Sequence, residues 1–261
     1  MGQKPNLEGV TRMSVADRVA AALVIATQLS QRFPGLRLGT LRSYRSKQDF
    51  SSLELLVAAP VEGPLRADLT QFFLQEVCTG ASVVHDKRLA LQYKEFKVDV
   101  LFVPPKHMDM TLAHLAYQEL GELISKVAHA QGMSLSGEGL VYRVRDGVLM
   151  VADIELATTW ESALELLGYS HSRWLEGFDG LDDVFAFVAS SPLFMPSLFQ
   201  LKAPAQPGAR PTLRNAFAAW LEQKDLPEPA VALPWLYERV PGFEARYKEI
   251  VAADKKRKSK A

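Results

Sequence analysis

Two short hydrophobic runs, residues 52–59 and 98–103, constrain the fold most because each carries one acidic residue among apolar neighbours. Runs of this length that are rich in Leu and Val are typical of β-strands, in which side chains point alternately to opposite faces. Alternation places Ser52 and Glu54 on one face of the first strand, and Asp99 lies on a second strand able to sit beside it. We therefore expect the Ser52 hydroxyl and the two carboxylates to converge in one cleft.

A basic segment precedes the first of these strands. The small residues Gly39 and Thr40 predict a turn, and Arg42 and Arg45 follow it in a stretch that contains no acidic residue. Backbone N–H groups of such a turn can hold phosphate oxygens, and neighbouring arginines can add positive charge. An ordinary turn between a strand and a helix, with solvated arginines, is the alternative that these residues leave open.

The remaining elements of the first half follow from periodicity. Ser14 and Asp17 have the spacing of a capping box, which predicts a helix that ends before Pro34. The helical spacing predicts the inward-facing side chains Val15, Val19, Ala22, Ala26, Leu29 and Phe33. Other predicted elements are a strand at 36–38, a polar loop or short helix at 43–51, a helix opened by Pro64 with an inward stripe of Leu65, Leu69, Phe72 and Phe73, and strands at 82–85, 89–93 and 96–103.

The second half reads as mostly helical, with one hairpin. A long helix is predicted over residues 110–131, and Gly132 should end it. Asp146 and Gly147 predict the turn of a hairpin. Elements predicted beyond the hairpin are a helix capped by Thr158 with Glu161, bearing a buried Trp160 and ended by Gly168, a helix near 181–188, a Pro-rich linker at 202–211, and helices near 213–220 and 236–251.

The order of these features resembles the polymerase-beta-like nucleotidyltransferases, polymerase family X. The family pattern is Gly-Ser, then Asp-x-Asp on a strand, then a third Asp on a neighbouring strand. Here Gly39-Thr40 is similar to the first motif and Asp99 to the third, while Ser52-Leu53-Glu54 stands where the family has Asp-x-Asp. The resemblance covers roughly residues 14–170.

We expect an α+β fold in three parts, of which the resemblance implies the first two. Residues 1–107 would form a nucleotidyltransferase palm, a mixed sheet with helices on one face. Residues 108–170 would form a thumb-like α/β subdomain. Beyond the resemblance, the helical spacing of apolar residues predicts that residues 171–261 form a helical C-terminal extension with a basic tail.

The resemblance also implies a chemistry in which two Mg²⁺ ions align a hydroxyl with the α-phosphate of a nucleoside triphosphate. Glu54 and Asp99 would be the catalytic residues, and the metal ligands would be these two together with Ser52. Gly39, Thr40, Arg42 and Arg45 would bind the phosphates of the nucleotide. Because a serine is neutral and a poor ligand for Mg²⁺, the metal site is expected to be weakened.

A further departure concerns the nucleotide contact of the thumb. The thumb contact falls on Leu115-Ala116-Tyr117, which lacks the small polar residues of the family. The sequence therefore predicts a degenerate nucleotidyltransferase that binds nucleotide, nucleic acid or a protein assembly with weak or no catalysis. The alternatives are an active template-independent or gap-filling transferase with a Ser/Glu/Asp metal site, and a purely structural component of an assembly.

Composition adds limits on partners and compartment. Lys plus Arg and Asp plus Glu number 30 each, so no global charge drives binding to nucleic acid. Cys78 is the only cysteine, which rules out a disulfide within the chain and favours a reducing, cytoplasmic location. The longest apolar runs are far shorter than a membrane span, so no membrane partner is expected. The basic tail at 255–260 predicts a disordered, solubilising end, with a nucleic-acid contact or a nuclear targeting signal as alternatives.

Overall fold

A computed structural model describes residues 7–60, 62–117, 120–199, 213–224, 226 and 232–258 of the chain. It divides into two compact units, Met1–Leu112 and Ala113–Ala261. Both strands and helices build the chain, and its largest sheet is mixed, which confirms the predicted α+β class. The predicted boundaries at 107/108 and 170/171 stay predictions.

The first unit has one dominant sheet and two short strands that pair separately. Its elements are β1 (Met13–Ser14), α1 (Val15–Arg32), β2 (Leu38–Thr40), β3 (Asp49–Phe50), β4 (Leu53–Ala58), α2 (Pro64–Phe72), β5 (Ser82–Val84), β6 (Arg88–Tyr93), β7 (Phe96–Val103) and the start of α3 (Met108–His114). The strands of the main sheet lie in the order β2-β4-β7-β6-β5, with β4 and β7 parallel and the other pairs antiparallel.

One face of this sheet forms the core of the first unit. The alternate residues Leu53, Leu55 and Val57 of β4 are fully buried, as are their partners on β7. Side chains of α1 and α2 complete the same hydrophobic cluster. The opposite face of β4 and β7 is therefore the one that carries the acidic residues.

Helix α1 begins as predicted and buries part of the predicted side, since Leu29 is buried and Ala22 and Phe33 pack against the core. Ser14 caps it in a complete capping box with Asp17. The buried stripe is Ala21, Ile25 and Leu29, whereas Val15 and Val19, which were predicted to face inward, are exposed. The helix has apolar residues on most of its circumference, so the 3.6-residue period predicts a helix but does not predict which side faces the core.

Helix α2 also begins as predicted, with Pro64 in its first turn, and it continues through a single π-helical turn to Val77. Leu69, Phe72 and Phe73 are buried as expected. Leu65 is exposed, which corrects its predicted place on the inward stripe.

The second unit combines a three-stranded antiparallel sheet, in the order β10-β9-β8, with several helices. Its described elements are α4 (Leu120–Ala130), β8 (Met133–Ser136), β9 (Gly139–Asp146), β10 (Leu149–Ala157), α5 (Trp160–Leu166), α6 (His171–Glu176), α7 (Leu181–Ala189), α8 (Leu213–Leu221), α9 (Ala232–Arg239) and α10 (Phe243–Lys258).

The hairpin of this unit confirms one prediction and corrects its neighbour. Asp146 pairs with Leu149 across a turn in which Gly147 has a φ of 58°. Trp160 is buried, as expected. The cap of α5 is Thr159, whose side chain accepts from the N–H of Ser162, and not Thr158.

Two other predictions for this half are wrong. The helix expected over 110–131 is interrupted, because α3 ends at His114 and Tyr117 takes a left-handed φ of 55°. The start of the basic tail is helical, since α10 runs to Lys258. The predicted linker at 202–211 lies outside the described residues. Among the residues that are described, no helix is both long and apolar enough to cross a membrane.

Candidate functional site

Glu54 and Asp99 are direct partners in the parallel pairing of β4 with β7. Neighbouring strands lie about 4.8 Å apart, and paired residues point to the same side of a sheet. The two acidic residues therefore share the face opposite the core. We call Ser52, Glu54, Lys97 and Asp99 the carboxylate face.

Ser52 joins this face through a hydrogen bond. Its hydroxyl donates to Oε1 of Glu54 at 3.4 Å, and the residue is 97% removed from solvent, with 3% of its surface exposed. The hydroxyl that stands in place of the family's first aspartate is thus directed at the neighbouring carboxylate. The roles of Ser52, Glu54 and Asp99 as metal ligands remain predictions.

Lys97 is the residue of this face that the sequence analysis missed. Its Nζ lies 3.0 Å from Oδ1 of Asp99, and the two side chains are only 11% and 18% exposed. Lysine is almost never buried to this extent unless it is paired with an acid. Strand alternation could have found it, because residues 97 and 99 are two apart and share a face.

The second oxygen of the Asp99 carboxylate is a buried acceptor. Oδ2 is shielded from solvent and has no hydrogen-bond partner within the described structure. A buried carboxylate oxygen in this state can still accept from one donor. One oxygen of the Asp99 carboxylate is therefore paired with Lys97, and the other can still accept a hydrogen bond.

Two more cations act on the same face from the loop before β3 and from α1. The guanidinium of Arg18 and the ammonium of Lys47 each lie 4.7 Å from the centre of the Phe50 ring. Burial lowers the pKa of Arg18, and the Glu54 carboxylate partly opposes this shift. The pKa of Lys47 is lowered by burial and by the charges of Arg18 and Arg12, while Glu54 again opposes the shift.

Arg18 is fixed in place by the backbone that follows β2. Its guanidinium donates to the carbonyl oxygen of Leu41 at 2.7 Å, while its Nε is buried and has no partner among the described atoms. A partly desolvated guanidinium binds an anion more strongly than a solvated one, because less water has to be displaced.

Asp49, the acidic residue that precedes β4, is engaged elsewhere. It lies on β3 opposite Ser14 and forms an ion pair with Arg12. This hydrogen bond lowers the pKa of the Asp49 carboxyl. Asp49 is therefore tied to β1 rather than to the carboxylate face.

Gly39 and Thr40 do not form the predicted turn, because both lie within β2. The register pairs Gly39 with Leu56 and Thr40 with Leu55, so the Thr40 side chain is directed away from the carboxylate face. A Cβ on residue 39 would lie 2.8 Å from both δ-carbons of Leu112. The structure thus gives Gly39 a packing role, and its closest approach is to α3.

The other residues with predicted nucleotide roles differ in their exposure. Arg42 and Arg45 are exposed in the segment between β2 and β3. Ala116 and Tyr117, from the predicted thumb contact, are buried in the second unit, where Tyr117 packs edge-on against Phe178. Phosphate binding by the two arginines stays a prediction.

The residues of the carboxylate face do not fit a site for two Mg²⁺ ions. No group of three or more His, Cys, Asp or Glu side chains among the described residues is arranged to hold a metal. The face offers two carboxylates, and one already binds an ammonium. A divalent ion on the free oxygen of Asp99 would lie roughly 5 Å from that ammonium, and their repulsion would be about 7 kcal/mol at an effective dielectric constant of about 20.

No protein-family model matches this chain, and no curated protein matches it significantly. The likeness to nucleotidyltransferases therefore rests on its residues and their order.

Proposed function

We propose that this chain is a polymerase-beta-like nucleotidyltransferase-fold protein that binds the phosphates of a nucleotide or nucleic acid without efficient nucleotidyl transfer. The observation that carries the proposal is the charge around Glu54. Two partly buried cations, Arg18 and Lys47, act on this one carboxylate, while the neighbouring Asp99 is already paired with Lys97.

The excess of positive charge supports binding of an anion. Arg12 pairs with Asp49 and Lys97 with Asp99, which leaves Arg18 and Lys47 facing Glu54. A phosphate group would offset the desolvation of both cations, and charge-assisted hydrogen bonds to phosphate are among the stronger ones in proteins.

The same residues support weak catalysis. Nucleotidyl transfer by two metal ions needs anionic ligands that hold both ions beside the reacting oxygens. Ser52 supplies no charge, and the Asp99 carboxylate is neutralised by a lysine. We therefore expect the reaction to be very slow or absent even when nucleotide is bound.

The proposal is tested by separating binding from catalysis. The purified protein is incubated with labelled nucleoside triphosphates, single-stranded or gapped primers, and Mg²⁺ or Mn²⁺, while nucleotide binding is measured by calorimetry. We expect saturable binding that weakens with salt, and no primer extension. Lack of any nucleotide or oligonucleotide binding at millimolar concentrations would contradict the proposal.

An active transferase is the first alternative, and the pairing of Glu54 with Asp99 favours it because two carboxylates do meet on one face. Template-independent or gap-filling addition at rates on the order of 1 per second would establish this alternative, since typical enzymes turn over at such rates.

A structural component of an assembly is the second alternative. Leu112 and Met108 fill the space above Gly39, where the resemblance would place a nucleotide. Helix α1 also exposes Val19 and Leu23 at 59% and 67%, side chains that a partner protein could cover. Absence of phosphate binding together with self-association or a stable protein partner would favour this function.

A further inference from the structure

Lys97 lies among the acidic residues of the carboxylate face. Lys97 and Asp99 are two residues apart on β7, and Asp99 is the register partner of Glu54 on β4. The ammonium of Lys97 therefore lies on the face that carries both carboxylates, at 3.0 Å from one of them. This is the face on which the family resemblance would place divalent ions.

The two departures change the charge of this face in the same direction, and each makes it more positive. Replacing an acidic residue by Ser52 removes one negative charge, and Lys97 adds one positive charge beside Asp99. Hard divalent ions need several anionic oxygens, whereas a single buried carboxylate is balanced by one ammonium. A face with Ser52 but without Lys97 would leave Asp99 uncompensated.

We propose that the Lys97 ammonium takes the place of a divalent cation at Asp99, so that the site binds a phosphate-bearing ligand without Mg²⁺. The part that concerns phosphate rests on the proposed function. The exclusion of a divalent ion by Lys97 is independent of the proposed function, because it can be measured on the protein without nucleotide.

The first experiment measures Mn²⁺ binding by electron paramagnetic resonance. Lys97→Met keeps an unbranched side chain and removes the charge. Lys106→Met, at an exposed position of the same unit, is the control with the same change in net charge. We expect neither the wild type nor the control to bind Mn²⁺ below about 1 mM. Lys97→Met should bind Mn²⁺ at least about tenfold more tightly, because two carboxylates and water can then hold the ion.

Micromolar Mn²⁺ binding by the wild type would overturn the proposal, as would a folded Lys97→Met variant with no gain. Mn²⁺ should also raise the melting temperature of Lys97→Met and leave that of the wild type unchanged. If Lys97→Met does not fold, Ser52→Asp, which retains Lys97, serves as the test variant. It should gain little affinity for Mn²⁺, and tight binding by this variant would show that Lys97 does not exclude the ion.

The second experiment compares ATP binding by the wild type in EDTA and in excess Mg²⁺. We expect the two dissociation constants to agree within about twofold. An increase of tenfold or more on removal of Mg²⁺ would overturn the proposal. If ATP binds under neither condition, the proposed function fails, while the Mn²⁺ titrations still decide whether Lys97 excludes a divalent ion.

Discussion

At the scale of single residues, the meaning of a motif depends on what its atoms touch. Gly39 belongs to the pattern that resembles nucleotidyltransferases, yet its missing side chain makes room for Leu112 and Met108. Lys97 belongs to no motif, yet its ammonium forms an ion pair with the Asp99 carboxylate. Residue identity limits the chemistry of a site, and contacts determine which part of that chemistry is used.

Gly39→Ala tests the packing role. The added Cβ would lie 2.8 Å from the δ-carbons of Leu112, so the variant should lose about 1–3 kcal/mol of stability from overpacking. Urea unfolding followed by circular dichroism measures the loss. The double variant with Leu112→Ala should lose less than the sum of the two single variants, and strict additivity would count against a clash.

His114 should make stability depend on pH. Burial lowers its pKa below the ordinary 6.5, so folding disfavours the protonated form. The stability is fully present above pH 6.5 and is lost as the pH falls from there toward the lowered pKa of the folded state.

The measurement for His114 uses tryptophan fluorescence, because Trp160 lies beside its ring in the second unit. The melting temperature should fall between about pH 7.5 and about pH 5.5, and His114→Phe should flatten this slope. His129→Gln, at an exposed position, should keep it. Equal slopes in the wild type and His114→Phe would show that another group is responsible.

At the scale of elements, local signals fixed where helices and strands begin and end more reliably than which side they bury. Pro64 and Ser14 start helices as expected. On α1, Leu29 is buried as predicted but Val15 and Val19 are exposed, because the sequence offers more than one apolar stripe and only the packing against the sheet selects between them.

Ser14→Ala tests the cap of α1. The Ser14 hydroxyl accepts from the N–H of Asp17 at 3.1 Å, and the Asp17 carboxylate accepts from the N–H of Ser14 at 3.2 Å. Loss of this capping box should cost about 1 kcal/mol of unfolding free energy, measured by urea denaturation.

The matched control for the cap is Thr27→Ala, which lies in the exposed part of the same helix. This substitution should be neutral or slightly stabilising, because alanine has the higher helix propensity. A Ser14→Ala variant as stable as Thr27→Ala would mean that the cap contributes little.

At the scale of the whole molecule, equal numbers of acidic and basic residues leave no net charge to attract a polyanion. The proposed binding of phosphate would therefore depend on local charge, chiefly at Arg18 and Lys47.

Lys47→Met should therefore weaken binding of ATP by roughly tenfold, as expected for loss of one charged hydrogen bond to phosphate. Lys87→Met, at an exposed position of the same unit, should change the dissociation constant by less than about twofold. Calorimetry at two salt concentrations measures both, and equal losses in the two variants would indicate nonspecific attraction.

The sequence by itself determined the α+β class, the strands that carry Glu54 and Asp99, and the hairpin at Gly147. Each depends on a signal within a few residues, such as side-chain alternation in a strand or the φ of a turn glycine.

Tertiary structure alone decided the ion pair of Lys97, the use of Gly39 for packing, and the interruption after His114. The packing of Gly39 depends on Leu112 in a distant segment, whereas Lys97 and Asp99 share one strand and depend on how the rest of the unit buries it. Periodicity places a side chain on a face, but only the partner across the strand or helix fixes its charge balance and the space around it.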